Sequence, residues 1–330
     1  MTDPGPLQAA APAAGRPVLA LGAIFKNEGP YILEWIAFHR AVGVTRFFIA
    51  DNGSDDGSGE LLAALDRAGV IRHIPFPGRP GEPPQLPAYT EILRRHGAEA
   101  DWIAFIDADE FLQPAPPERS LIPTLAALDA AADVGMFVVN WAVYGSSGET
   151  EARPEPVIER FQGRARRGAG INRRYKSVVR VGACAGTSDN PHHFQLLPGF
   201  RAVHVDGTDL ELFRPARSGM SREVRWSPMR LNHYVVKSRQ EFFERKLPRG
   251  RATKADEVRA TSFFDDHDRN EELAPMPPWL IAAVRSGKSR ILAELRAIGW
   301  TAGEPAVRPG APRPAAPRGP ARAAAAPSRR

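Results

Sequence analysis

The sequence predicts an α/β fold built on a mostly parallel sheet flanked by helices. Two observations predict it: short apolar strands alternate with helical segments through the first half of the chain, and polar clusters directly follow several of the strands. Strands buried on both faces are typically unbroken apolar runs, and the helices between them permit right-handed crossovers. We expect one globular domain over residues 17–300, with a regular half at 17–145 and a less regular half at 146–300.

The elements of the first half follow in order. Residues 18–25 are an apolar run, Pro30 suits the first turn of the next helix, and Gly43 ends that helix. The Pro- and Gly-rich stretch 75–87 is expected to be a long loop. The remaining elements predicted in this half are strands at 46–50, 70–76, 102–106 and 135–143 and helices near 88–96 and 121–131, with one more helix that carries Leu61, Leu62 and Leu65 and stops at Gly69. This alternation is typical of β-α-β units.

The second half predicts an irregular α+β extension. Residues 160–180 contain eight basic residues and no acidic one, and most of them are expected to lie in a solvated loop. Ser238 with Glu241 three positions later is a capping box, which indicates the start of a helix. Residues 280–298 have the pattern of a final amphipathic helix.

Composition and charge exclude several classes of protein. The 330 residues carry a formal net charge of +6, but residues 301–330 alone hold six Arg and one Glu, so the remainder is nearly neutral. This Pro/Ala/Arg segment and residues 1–16 are expected to be disordered tails. Nucleic-acid binding would rest on the C-terminal tail alone, so we expect no nucleic-acid partner.

The sequence predicts a cytoplasmic protein. Cys184 is the only cysteine, so no internal disulfide forms, and no Cys/His cluster has zinc spacing. No apolar run approaches the roughly 18 residues of a membrane span, and the first residues lack the basic stretch of a secretory signal. Contact with a membrane would therefore be peripheral.

Three polar clusters follow predicted strands and meet at one edge of the sheet. They are Asn27 with Glu28, Asp51 with Asn52 and Asp55, and Asp107 with Asp109 and Glu110. Ligands of parallel sheets bind beyond the carboxyl ends of the strands, which is where these clusters lie. Neither glycine-rich phosphate-loop pattern occurs, so the sheet does not hold its ligand as dinucleotide-binding or P-loop folds do.

Asp107 and Asp109 are the sharpest motif. A buried strand delivers two carboxylates two positions apart, so both can face the same space. Two like charges held together are costly unless a cation joins them, and Mg²⁺ and Mn²⁺ prefer such oxygen ligands. The pair predicts a divalent-cation site, with an ordinary surface turn as the alternative.

Five separated motifs indicate one family. They are AIFKNEGPYILEWIAFHRAVGVTRFFIADNGSDDGS, DWIAFIDADEFL, WAVYGSSG, RRYKSVVR and LNHYVVKSRQEFFERKLPRG. Over residues 18–275 the chain resembles family 2-like glycosyltransferases with a GT-A (Rossmann-like) fold, in the branch related to glycosyltransferase family 92. The resemblance implies a GT-A-like domain with a nucleotide-sugar-binding half at 17–145 and an acceptor half at 146–300.

The resemblance also implies roles for the residues at the sheet edge. Asp51 would contact the nucleoside, and Asp107 and Asp109 would hold Mn²⁺ or Mg²⁺ against the donor's diphosphate. The cation would stabilise the charge that develops on the leaving nucleoside diphosphate. The other residues expected to bind the nucleotide sugar in this half are Asn27, Glu28, Asn52 and Asp55.

The second half would add two further ligands. GT-A folds often supply a metal or phosphate ligand from near the C-terminus, and His233 is the candidate; a packed or capping histidine is the alternative. Lys176, in the family-like RRYKSVVR segment, is expected to stabilise the diphosphate as a fixed cation, and both Lys176 and Asp107 are expected to bind the nucleotide sugar.

The general base is not fixed by spacing. Inverting family 2 enzymes use an Asp or Glu on the acceptor side, and Glu149, Asp206 and Asp209 are all candidates. Residues 145–148 are expected to form an acceptor-side loop or a plain turn. The acidic run at 265–268 is expected to be an exposed turn, with a metal site as the alternative.

The predicted function is metal-dependent transfer of a hexose from a nucleotide sugar to a hydroxyl group. The donor is expected to be UDP-linked, the acceptor a glycan such as a polysaccharide or a similar molecule, and the family implies inversion. A sugar-phosphate nucleotidyltransferase is one alternative, although no glycine-rich loop with Arg or Lys follows the first strand. A non-catalytic glycan-binding protein with the same fold is the other.

Overall fold

The computed structural model describes residues 15–79, 81–214, 217–249, 259–302 and 305. The tails predicted at 1–16 and 301–330 lie almost entirely outside the described residues.

The described residues form fifteen strands and nine α-helices, several of them only two to four residues long. The strands are β1 (Leu19–Phe25), β2 (Arg46–Asp51), β3 (Arg72–Pro75), β4 (Trp102–Phe105), β5 (Glu110–Pro114), β6 (Val134–Val143), β7 (Gly163–Arg164), β8 (Tyr175–Arg180), β9 (Cys184–Thr187), β10 (Phe194–Leu196), β11 (Arg201–His204), β12 (Leu212–Arg214), β13 (Arg217–Ser221), β14 (Met229–His233) and β15 (Glu272–Leu273). The helices are α1 (Ile32–Ala41), α2 (Ser58–Arg67), α3 (Gln85–His96), α4 (Ile122–Asp129), α5 (Val157–Arg160), α6 (Arg239–Glu241), α7 (Leu247–Arg249), α8 (Phe263–His267) and α9 (Pro278–Ala297). A π-helical turn, Phe242–Lys246, joins α6 to α7.

Nine of these strands form one mixed sheet in the order β3-β2-β1-β4-β8-β6-β14-β5, with β11 beside β6. The first four strands pair in parallel. β8 runs antiparallel to both β4 and β6, and β14 runs parallel to β6 and antiparallel to β5. The predicted α/β class is confirmed. Parallel and antiparallel pairs are mixed in the second part of the sheet, because strands from both halves of the chain are interleaved there.

The elements of the first half lie close to their predicted positions, with two differences. α3 begins at Gln85, inside the stretch expected to be a loop. Glu110 does not belong to a polar loop but begins β5, because Phe111 and Leu112 are buried and the strand pairs with β14. Asp107 and Asp109 therefore lie in a tight connection between two strands.

The core lies on both faces of the sheet. Along β1, Leu21 and Phe25 pack into the layer that holds α1, α4 and α9, whereas Ala20 and Ile24 pack towards α3 on the other face. α9 lies along α1, and a Cβ at Gly287 would be only 3.0 Å from the Cβ of Ala37, so the close contact requires glycine. These helix layers leave the carboxyl ends of β1, β2 and β4 open at one edge.

Candidate functional site

A cavity of about 630 Å³ opens at the carboxyl ends of β1, β2 and β4. The residues that line it from the first half include Glu28, Asn52, Asp107 and Asp109. Trp141, near the end of β6, also lines it, and the lining residues of the second half include Lys176, His192, His233, Lys246 and Arg249. Six residues that the sequence places in the site, Glu28, Asn52, Asp107, Asp109, Lys176 and His233, thus face one space.

The turn that carries Asp107 is held by α1. The indole Nε1 of Trp35 donates hydrogen bonds to the backbone oxygens of Asp107 (3.2 Å) and Glu110 (2.9 Å). The Asp107 side chain is 37% exposed. Its Oδ1 accepts a hydrogen bond from Gln85 Nε2 (3.1 Å), and its Oδ2 accepts one from Lys176 Nζ (2.9 Å). The first carboxylate of the motif is therefore fixed in position at the cavity wall.

Lys176 is a buried cation between two carboxylates. It lies on β8, and its Nζ is 2.9 Å from Asp107 Oδ2 and 3.4 Å from Glu110 Oε2. Burial alone would lower the pKa of Lys176, but the two carboxylates outweigh this effect and hold that pKa well above its ordinary value. Burial raises the pKa of Glu110 to about 8 against the opposing effect of Lys176. Lys176 therefore presents a fixed positive charge.

Asp109 lies between a lysine and a histidine. Its Oδ2 accepts a hydrogen bond from Lys246 Nζ, and its Oδ1 is 3.5 Å from His233 Nε2. Burial would raise the pKa of Asp109, but Lys246 and His233 hold it well below its ordinary value. Burial lowers the pKa of Lys246 to about 8, with Asp109 opposing. The Asp109–Lys246 pair is therefore ionised at neutral pH.

His233 ends β14 with its ring against Trp141, at a centroid distance of 4.3 Å. Burial lowers the pKa of His233, although Asp109 opposes this shift. The imidazole is therefore neutral at pH 7 and able to bind a cation through a ring nitrogen. His233 is thus packed against an aromatic side chain, which was the alternative expectation, and it also lies beside Asp109.

The side chains at this wall include chemical groups that bind divalent cations. Two carboxylates and a neutral imidazole are groups that Mn²⁺ accepts, and the carboxylates also suit Mg²⁺. In the part of the chain that the structure describes, no three His, Cys, Asp or Glu side chains converge as metal ligands. Instead, Lys176 and Lys246 lie against the two carboxylates.

Asn27, Asp51 and Asp55 connect two loops and do not line the cavity. The Asn27 side chain donates to Asp55 Oδ1 (2.7 Å) and accepts from the Asp55 backbone N–H (2.9 Å). Asp51 Oδ1 accepts from Ser54 Oγ (2.6 Å), and Ser54 Oγ accepts from the Asn27 backbone N–H (2.9 Å). Asn27 has a φ of 56°, in the left-handed region that few side chains adopt. These residues support the cavity edge from behind.

The candidates for the general base lie away from the cavity. Glu149 Oε1 accepts a hydrogen bond from Arg153 (2.6 Å), and Asp206 Oδ1 accepts one from the Thr208 hydroxyl (2.5 Å). Asp209 Oδ1 accepts one from Arg201 (2.8 Å). None of the three acids lines the cavity.

Sequence reasoning missed Gln85, Lys246 and Arg249. Arg249 donates hydrogen bonds to Glu28 Oε1 and to the backbone oxygen of Lys26. Arg249 therefore forms an ion pair with an acid that was expected to bind the donor, and Lys246 does the same with Asp109. Both cations belong to the motif segment ERKLPRG, where clustered basic residues were a usable signal. No sequence signal indicated Gln85, because the Pro- and Gly-rich stretch that contains it predicts a loop.

Two expectations for charged segments of the second half are wrong. Several basic residues of 160–180 are not solvated: Arg160 pairs with buried Glu241 (2.8 Å), and Arg180 pairs with Asp129 (2.7 Å). The acidic run at 265–268 largely belongs to α8, although Asp265 and Asp266 are exposed as expected. Arg160 and Arg180 form ion pairs with residues distant in the sequence, so side chains that the sequence predicts to be solvated are partly or fully buried.

Acids at the carboxyl ends of parallel strands thus face cations from the second half of the chain. Residues 22–146 match the model of glycosyltransferase family 92. The resemblance to this family that the sequence motifs indicate is confirmed over these residues.

Individual proteins agree with the family match. A glycosyltransferase family 92 protein of Oryza sativa subsp. japonica is 30% identical over 185 residues, covering 55% of this chain and 30% of that protein. A second, from Arabidopsis thaliana, is 30% identical over 183 residues, covering 52% of this chain and 30% of that protein. This chain therefore spans only a minor part of the curated relatives it matches.

Solved structures similar to this chain include S. aureus TarS 1–349 in complex with UDP. The two are 14% identical with a TM-score of 0.33, and the match covers 50% of this chain and 47% of that one.

Among the described residues, no helix combines the length and the apolar character that crossing a bilayer requires.

Proposed function

We propose that this chain is a metal-dependent glycosyltransferase that moves a hexose from a UDP-linked sugar to a hydroxyl of a glycan or similar acceptor, with inversion. One observation carries the proposal: Asp107 and Asp109 share a cavity with Lys176 and His233 at the carboxyl ends of parallel strands. The cavity volume of about 630 Å³ lies within the range of small-molecule sites. The family match supports the same reaction class.

The residues of the cavity have complementary roles in this proposal. Asp107, Asp109 and His233 would hold Mn²⁺ or Mg²⁺, which when bound would neutralise charge on the leaving diphosphate. Lys176 contributes a permanent positive charge to the same leaving group. Glu28 and Asn52 line the side of the cavity that follows β1 and β2, where the nucleotide would lie.

The acceptor hydroxyl attacks the anomeric carbon as the bond to the diphosphate breaks, through an oxocarbenium-like transition state. A general base removes the hydroxyl proton. Because Glu149 and Asp206 are tied to other residues outside the cavity, we do not assign either as this base. The proposal does not depend on which group serves.

A donor screen tests the proposed function. Purified chain with Mn²⁺ or Mg²⁺ is incubated with UDP-, GDP- and dTDP-sugars, and release of nucleoside diphosphate is measured. We expect slow hydrolysis of a UDP-sugar that is lost in Asp109→Asn and retained in Asp265→Asn, a matched change at an exposed acid of α8. Turnover of a nucleoside triphosphate with a sugar phosphate would instead indicate a nucleotidyltransferase. Binding of nucleotide sugar without hydrolysis or transfer would indicate a binding protein.

A further inference from the structure

A short cationic segment of the second half contacts three acids of the first. We call residues 245–249 the cationic segment; it spans the end of the π-helical turn and α7. Its three ion pairs are Arg245 with Asp56 (2.9 Å), Lys246 with Asp109, and Arg249 with Glu28. π-helical turns frequently mark functional sites, and this one directs Lys246 onto the second carboxylate of the Asp107/Asp109 motif.

The three cations differ in their relation to the cavity. Lys246 and Arg249 line it, together with their partners Asp109 and Glu28. Arg245 does not; its second contact is the backbone oxygen of Asn27 (2.9 Å) behind the cavity edge. Two members of the segment are therefore within reach of a bound donor, and the third has a supporting role only.

Lys246 also differs from Lys176. Lys176 is 1% exposed and lies between two carboxylates, so it keeps Glu110 as a partner if Asp107 binds another cation. Lys246 is 11% exposed, and its ammonium contacts Oδ2 of Asp109, one of the two oxygens of the carboxylate that would bind a metal ion. An ammonium and a divalent cation repel each other at one carboxylate oxygen, so the two compete for Asp109.

We propose that Lys246 is an internal competitor for the cation position at Asp109, and that Lys246 and Arg249 bind the donor's diphosphate when a metal ion takes that position. The inference rests on the proposed function and extends it to the coupling of metal and donor. The four-carbon side chain of Lys246 can turn within the cavity, but without an anion its ammonium would be left among like charges.

The charge of the cavity favours such an exchange. Of the described residues that line it, seven are Lys or Arg and four are Asp or Glu. A diphosphate adds the negative charge that a displaced Lys246 and Arg249 require, and it also binds the metal ion directly. Metal ion and diphosphate therefore each strengthen the binding of the other, as linkage requires.

Binding of Mn²⁺ alone tests the competition. Free Mn²⁺ is followed by electron paramagnetic resonance during titration of nucleotide-free protein. Lys246→Gln should bind Mn²⁺ about tenfold more tightly than the natural chain, because a charge-assisted hydrogen bond no longer opposes the ion. Arg245→Gln, a matched loss of a neighbouring cation that does not line the cavity, should leave Mn²⁺ affinity unchanged.

Binding of UDP with saturating Mn²⁺ tests the second part. Lys246→Gln and Arg249→Gln should each bind UDP about tenfold more weakly, and Arg245→Gln should not. Thermal unfolding of each variant verifies the fold. Mn²⁺ affinity in Lys246→Gln that is unchanged, weaker or absent would overturn the competition, and unchanged UDP affinity would overturn the role at the diphosphate.

The two proposals fail in different ways. If the natural chain bound Mn²⁺ and UDP but hydrolysed and transferred no sugar, the proposed function would be contradicted while the opposite shifts in Lys246→Gln would still support the exchange. If the chain transferred sugar but Lys246→Gln shifted neither affinity, only the exchange would be contradicted.

Discussion

The two halves of the molecule place their charged side chains at the cavity in different ways. In residues 17–145 the acids of the cavity lie just after strands, so the sheet sets their positions: Glu28 follows β1, and Asp107 follows β4. In residues 146–300 the cations are held by ion pairs to those acids, as Lys176 is to Asp107 and Lys246 to Asp109. The sheet thus places the acids and also Lys176 on β8, whereas Lys246 lies outside the sheet and is held by its ion pair with Asp109.

The largest effect should follow from removing an acid. Asp109→Asn and Asp107→Asn should each lower hydrolysis of the UDP-sugar at least about a hundredfold, because several kcal/mol of charge stabilisation is lost. Turnover under steady-state conditions measures this, with circular dichroism to verify the fold. If a variant kept activity within a few fold of the natural chain, the acids of the first half would not be essential to the site.

The second half should depend on its buried ion pairs for stability. Arg160 and Glu241 are 4% and 2% exposed and 2.8 Å apart. Arg160→Met leaves the Glu241 carboxylate buried without its cation, and the free energy of unfolding should fall by about 3 kcal/mol in urea denaturation.

The matched surface pair is Arg285 with Glu159, in which Arg285 is 62% exposed. Arg285→Met should cost less than about 1 kcal/mol of unfolding free energy, because exposed pairs are screened by water. Equal costs for the two substitutions would show that burial of the pair does not hold the second half together.

Glu34 makes the junction of the halves sensitive to pH. On α1, it accepts hydrogen bonds from the backbone N–H groups of Val157 (2.9 Å) and Ile158 (3.0 Å). Burial raises the pKa of Glu34 from 4.5 to about 6 against these hydrogen bonds. The folded state therefore binds more protons than the unfolded state in this range. As pH rises from about 4.5 through 6, the contribution of Glu34 to the free energy of unfolding should fall by about 2 kcal/mol.

Urea denaturation at several pH values measures this contribution. Glu34→Gln cannot ionise, so its free energy of unfolding should lack that decline while the rest of the pH dependence is kept. If the natural chain and the variant gave parallel curves between pH 4.5 and 6, the carboxyl of Glu34 would not titrate as its burial requires.

The smallest effect should come from the acids outside the cavity. Glu149→Gln and Asp206→Asn should keep transferase activity within about twofold, whereas loss of a general base typically costs about a hundredfold or more. Initial rates with a UDP-sugar and an accepted glycan test both variants. A large loss of activity in either variant would indicate that the substituted residue takes part in the reaction and that the active site extends beyond the cavity.

The sequence predicts the first half better than the second for a physical reason. Apolar runs followed by acids specify buried strands and the polar ends of those strands, which places Asp107 and Asp109 at one edge. Which way a side chain turns there depends on neighbouring loops, so the pairing of Asn27 with Asp55 was not predictable. Partners such as Lys246 and Asp109 are 137 residues apart, and no local pattern encodes their contact.

The central claim is that the two carboxylates bind a nucleoside diphosphate through a divalent cation. Calorimetric titration of UDP into the natural chain, with Mn²⁺ and then with excess chelator, tests it most directly. We expect UDP to bind with Mn²⁺, and to bind at least about tenfold more weakly after chelation or, with Mn²⁺ present, in Asp109→Asn. Equal UDP affinity under all three conditions would contradict it.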